Sequence, residues 1–78
     1  MTPAQCVAGR TAVSLTARGL GKLAGLMATA VHRFEGGGML PLASQDKLRA
    51  ALSAAGVEFV TTSGGGPGVH LRKLADDP

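Results

Sequence analysis

The chain has 78 residues, a formal net charge of +3, no Trp or Tyr, and two Phe, Phe34 and Phe59. That length gives one small domain with a modest core of Leu, Val and Ala, and it makes oligomerisation an expected source of further stability. The single cysteine, Cys6, excludes an intrachain disulfide and suits a reducing cytoplasm. No apolar run approaches the ~18 residues of a membrane span, and the N-terminus lacks the charged-then-apolar order of a secretion signal.

In chain order, Thr2 followed by Pro3 reads as a helix start, an N-cap and then proline at the first helical position. The spacing of Cys6, Val7, Arg10 and Val13 carries that first helix from Pro3 to about Val13, with Cys6 as a small buried residue. Thr16 caps a second helix over Ala17–Ala24. Its Gly19 and Gly21 cost roughly 1 kcal/mol each relative to Ala, so packing has to hold it. Leu15, Leu20, Leu23 and Ala24 supply its apolar positions. Gly25 then breaks the pattern, as a tight helix–helix turn requires, and Leu26 sits in the turn. A third helix over Ala28–Glu35 buries Val31 and Phe34 and exposes Thr29, His32 and Arg33, and Gly36–Gly38 ends it. Met39–Leu42 reads as an apolar loop folded back on the core. Ser44 caps a fourth helix to about Ala55, with Leu48, Ala51, Leu52 and Ala55 on one face and Gly56 as C-terminal cap.

After Gly56 the period changes. Val57–Thr61 is β-branched and aromatic, Val69–Arg72 alternates, and the glycine-rich stretch Ser63–Gly68 lies between them as a wide hairpin loop. Val57, Phe59, Val69 and Leu71 form an apolar face. An isolated two-stranded hairpin is only marginally stable, so these four residues are expected to pair with the hairpin of a second copy. The competing arrangement folds the hairpin onto its own fourth helix against Leu48 and Leu52. The expected fold is therefore mainly α, with four to five short helices including a helix-turn-helix, plus a C-terminal β-hairpin used in dimerisation. Residues 1–56 make the helical part, 57–73 the hairpin of the same domain, and 74–78 a mobile tail.

Charge distribution points to a partner. Residues 1–34 carry Arg10, Arg18, Lys22 and Arg33 with no acid, whereas Glu35, Asp46, Glu58, Asp76 and Asp77 come later. A basic N-terminal half that ends on a helix-turn-helix has the layout of a domain that offers one helix to double-stranded DNA. Arg33 can make a bidentate pair with guanine and Thr29 can set its methyl against thymine, while Arg18 and Lys22 suit phosphates. His32 adjoins them.

The stretch Leu15-Thr16-Ala17, Leu20, Ala24-Gly25-Leu26-Met27, Ala30-Val31 and Phe34-Glu35-Gly36-Gly37 resembles the lambda-repressor-like, Xre-type helix-turn-helix regulators. The opening Met1–Cys6, and the run from Leu48 through Ala55-Gly56-Val57-Glu58-Phe59 to Gly64–Lys73, resemble small proteobacterial members of that family. The resemblance implies four or five helices, dimeric DNA binding, transcription regulation in the cytoplasm of a bacterium, and no cofactor. It also implies an ion pair between Arg10 and Glu35 under the recognition helix, and a DNA-facing set of Arg18, Lys22, Ala28, Thr29, His32 and Arg33. Ala17 stands where the family favours a phosphate-anchoring Gln, Met27 where it has a Ser or Thr cap, and Ala28 where a polar residue is common. Binding then rests on fewer side chains.

Catalytic and metal motifs are lacking. Gly21-Lys22 lacks the upstream Gly of a phosphate loop and has Leu23 where that loop needs Ser or Thr, and Gly64–Gly68 does not match the dinucleotide fingerprint. His32, His70 and Cys6 have no metal-ligand spacing, and Ser14, Ser44, Ser53 and Ser63 have no His–Asp partners. The reading is a non-enzymatic regulator. Two others stay open: a protein-interaction module, in which a degenerate helix-turn-helix inhibits another regulator, and the antitoxin of a toxin–antitoxin pair.

Overall fold

In the computed structural model, residues 1–62 and 66–71 are described. Helix α1 spans Pro3–Ala12, α2 Ala17–Ala24, α3 Ala28–Glu35 and α4 Leu42–Ala54; strands β1, Val57–Thr62, and β2, Gly66–Leu71, follow. The fold is mainly α with a small antiparallel hairpin. Among the described residues no helix is long and apolar enough to cross a membrane.

Local chemistry sets the helix ends. The Thr2 hydroxyl accepts from the Gln5 amide at 3.1 Å and the Gln5 Oε1 accepts from the Thr2 amide at 2.9 Å. This reciprocal box satisfies two donors that the first turn would otherwise leave bare. Thr16 accepts from the Gly19 amide at 2.9 Å to start α2. Gly25, at φ 73°, ends α2 in the left-handed conformation, and the Leu26 amide bonds back to the Gly21 carbonyl at 2.8 Å. The turn is so tight that a Cβ on Gly21 would lie 2.7 Å from the Leu26 carbonyl oxygen. Gly21, weak in helix propensity, is therefore the residue that lets α3 fold back on α2.

Helix α4 begins two residues before Ser44, which lies in its first turn rather than capping it. The Pro41 carbonyl receives the Ser44 and Gln45 amides at 3.0 Å, and the Gln45 amide group donates to the Leu40 carbonyl at 2.8 Å. The proline ring, at φ −55°, holds the chain at this entry without a side-chain cap. The apolar loop folds back only in part: Leu40 packs on the core, but Met39 and Leu42 are exposed.

Cys6, Ala17, Leu20, Val31, Phe34, Leu48, Leu52 and Val57 form the core, drawing on all four helices and β1. Leu23, expected on the buried face of α2, is 62% exposed. It lies about a sixth of a turn beyond Leu20 at ~100° per residue, outside the arc that Ala17, Leu20, Gly21 and Ala24 define.

The hairpin ladder runs from Val57↔Leu71 through Phe59↔Val69 to Thr62↔Gly66. It is longer than expected, because Gly66, Pro67 and Gly68 belong to β2 and not to the loop. Residues 63–65, Arg72 and the tail expected over 74–78 lie outside the described residues. The hairpin packs on its own chain. Val57 is fully buried over Gly9 of α1, where an added Cβ would meet Val57 Cγ1 at 3.0 Å and Leu52 Cδ1 at 3.6 Å. Phe59 and Val69 are half-buried against the same core. The expectation that Val57 belongs to a dimer interface is corrected: glycine at position 9 brings β1 close enough to α1 for Val57 to join the core of its own subunit. Leu71 pairs with Val57 in the ladder, and the surroundings of its side chain lie outside the description. Arg49 of α4 stacks over the Phe59 ring, 5.4 Å from its centroid, a cation–π contact that also holds the hairpin to the helices.

Candidate nucleic-acid interface

Helices α2 and α3 present a polar, basic surface. On α3, Thr29, His32 and Arg33 are exposed and Val31 and Phe34 are buried. At ~100° per residue the three exposed residues fall within a single arc opposite the buried pair. On α2, Arg18 and Lys22 are exposed four residues apart, one helical turn from each other on the same ridge. Ala28 is partly buried at the start of α3, and Met27 before it supplies no side-chain hydrogen bond to the first turn. The missing Ser or Thr at position 27 thus leaves that turn without a side-chain cap, although the Ala30 amide bonds to the Met27 carbonyl at 3.0 Å.

The first acid of the chain lies under this surface and is engaged. Arg10 Nε and Nη2 donate to the two oxygens of Glu35, each at 2.9 Å. The same guanidinium donates through Nη1 to the Leu15 carbonyl at 3.1 Å. One side chain therefore ties α1 to the entry of α2 and to the last residue of α3. The Arg10 and Glu35 side chains are 20% and 9% exposed, close to a buried pair. Charge-assisted bidentate geometry of this kind is the strong form of the contact. The hydrogen bond to Glu35 raises the Arg10 pKa further above its already high value, against a smaller opposing effect of burial.

Cys6 completes the cluster in a way that residue spacing did not reveal. Its thiol donates to Glu35 Oε2 at 3.3 Å. Burial first, then the bond and the charge of Glu35, push the thiol up to about 12, with Arg10 opposing. The thiol is thus held protonated and inert. Gln5 is the other residue missed: beyond its part in the capping box, its Nε2 donates to the Gly68 carbonyl at 2.9 Å. The sequence signal for the box, Thr2 three residues before Gln5, was present; nothing local announces the reach to β2. Among the described residues no three His, Cys, Asp or Glu side chains come together as metal ligands would.

Exposed apolar side chains sit beside the basic ones. Leu23 and Met27, at the end of α2 and in the turn before α3, are 62% and 75% exposed. In comparisons with known proteins, no family model matches the chain, and no curated protein matches it at a significant level.

Proposed function

We propose that this chain is a sequence-specific DNA-binding transcriptional regulator of the Xre type, working in the cytoplasm as a dimer on a short operator. The observation that carries the reading is the surface of α2 and α3: Arg18, Lys22, Thr29, His32 and Arg33 are all exposed, and the nearest acid in sequence, Glu35, is paired with Arg10. Positive charge on this surface attracts the phosphate backbone, and Thr29 and Arg33 lie at the spacing of one helix face that enters a major groove. The uncapped first turn of α3 offers the Ala28 and Thr29 amides to a phosphate, as helix N-termini do. That supplies a backbone contact where the resemblance leads one to expect a polar side chain.

Exposed Leu23 and Met27 favour a second reading, in which the same surface binds a protein and the chain acts as an antiactivator or antitoxin. A solvated apolar pair beside a recognition helix suits a protein partner better than a phosphate backbone.

Selection of binding sites from a random duplex library separates the two. The DNA reading expects an enriched two-fold symmetric motif with half-sites about one helical turn, ~34 Å, apart. It also expects Arg33→Ala to relax preference at one position in each half-site. A library that stays random after repeated rounds rejects the DNA reading and leaves the protein partner.

A further inference from the structure

Val57 is buried by the chain's own helices, and Phe59 and Val69 are half-buried against the same core, so what the hairpin still offers is an edge. We propose that two copies of this chain join through β1, edge to edge, into a four-stranded antiparallel sheet of order β2–β1–β1–β2 about a two-fold axis at Phe59 or Val60. This specifies the assembly that the two-fold DNA reading rests on.

The sheet has two strands, β1 and β2, and among the described residues no third strand shields the outer edge of either. An unpaired strand edge is a template for another chain. The two edges are not equivalent. β2 reads Gly66-Pro67-Gly68-Val69-His70-Leu71. Proline lacks an N–H for a ladder on either side, and glycine weakens a strand, so this composition confines β2 to the outside of a sheet. Gln5 also occupies the Gly68 carbonyl from α1. β1 reads Val57-Glu58-Phe59-Val60-Thr61-Thr62, without Gly or Pro and rich in the β-branched and aromatic residues of central strands. Its register against β2 runs without interruption over all six residues, so no bulge turns the edge away, and it carries no Lys. Of the devices that blunt an edge, β1 carries a single charge, Glu58, whereas β2 carries Pro67 and two Gly.

Antiparallel pairing of a strand with its own copy is two-fold symmetric and closes after two subunits. Residues directly opposite in such a pair share a face, so the axis must pass where one residue faces its own equivalent. Centring on Glu58 would set two carboxylates opposite each other, which destabilises a ladder. Centring on Phe59 sets Glu58 against Val60, and centring on Val60 sets it against Thr62. Both centres bring the half-buried Phe59 near its symmetry mate. An axis normal to the sheet leaves the helices of both subunits on one side of it, so both α3 helices belong to a single assembly.

Sedimentation equilibrium of the full chain without DNA, over about a hundredfold range of concentration, tests the proposal first, because a small interface dissociates on dilution. A monomer–dimer equilibrium is expected; a monomer throughout overturns it. Mild oxidation of Phe59→Cys and Val60→Cys, one for each centre, and, on β2, of His70→Cys then locates the interface, with wild type as control because Cys6 is buried. A disulfide-linked dimer from one of the two β1 variants in clear excess over His70→Cys and wild type is expected. Equal, reversed or absent linkage in both overturns the proposal. Should the β1 variants not fold, amide exchange of wild type decides instead: protection in Glu58–Thr62 that rises with concentration supports pairing at β1, and protection there that ignores concentration refutes it. Since no DNA is present, this assembly and the DNA reading can fail separately.

Discussion

Replacing Arg10 with Met should destabilise the protein by far more than an ordinary surface change. The substitution keeps most of the aliphatic stem and removes three donations, two to Glu35 and one to the Leu15 carbonyl, together with the charge that accompanies them. It leaves the Glu35 carboxylate, 9% exposed, with the Cys6 thiol as its remaining side-chain donor. An exposed ion pair is worth about 0–1 kcal/mol, and breaking a fully buried one costs about 3–5 kcal/mol. With the exposures observed here the cost should be about 2–3 kcal/mol. A domain of this length has about 4–12 kcal/mol in total, so a large fraction is lost, and the midpoint should fall by roughly 10–20 °C. Thermal and urea unfolding of wild type, Arg10→Met, Glu35→Gln and the double variant measure this. The double variant should be less damaged than the sum of the singles by about 1–3 kcal/mol. A loss under about 0.5 kcal/mol for Arg10→Met, or strictly additive effects, would refute the claim that this pair holds α1 and α3 together.

Further predictions concern the thiol, the turn and the DNA-facing charges. Because folding raises the Cys6 pKa from an ordinary 9.0 to about 12, the folded state holds the proton more tightly; its contribution should be complete below pH 9 and be lost as pH climbs towards 12. Urea midpoints measured against pH should fall in that window for wild type and less for Cys6→Ala, and a thiol reagent should label wild type only as fast as it unfolds. Gly25→Ala forces a Cβ into φ 73° and should cost about 1–2 kcal/mol, seen as a lower midpoint with the helix content unchanged before the transition. Lys22→Ala should weaken binding to all duplexes alike and, in a dimer, reduce the salt slope by about 2, which a filter-binding series in increasing salt reads directly.

Most of the fold was legible because its determinants are local. Thr2-Pro3, Thr16, Gly25 and Gly36–Gly38 mark helix ends through capping and backbone freedom, and α2 and α3 begin and end where those residues dictate. What was not legible depends on long-range packing. Ser44 looks like a cap, but Pro41 starts the helix earlier; Leu23, Met39 and Leu42 are apolar yet exposed, with no neighbour among the described residues that buries them. The hairpin face was read as an interface because its alternation is visible and its covering is not: the groove that receives Val57 exists only because Gly9 lacks a side chain. At the candidate site, residue type and helical period were enough to find the exposed arc of Thr29, His32 and Arg33. The thiol of Cys6 against Glu35 joins residues 29 apart and has no local signature.

The measurement that bears most directly on the central claim is a titration of the full chain against its own upstream DNA and against a scrambled duplex of equal length, each at two salt concentrations. Tighter binding to the upstream duplex is predicted, with affinity falling as salt rises at a slope of about −4, the value for Arg18 and Lys22 from each of two subunits. Equal and negligible affinity for both duplexes would contradict the account and turn attention to a protein partner for the surface around Leu23 and Met27.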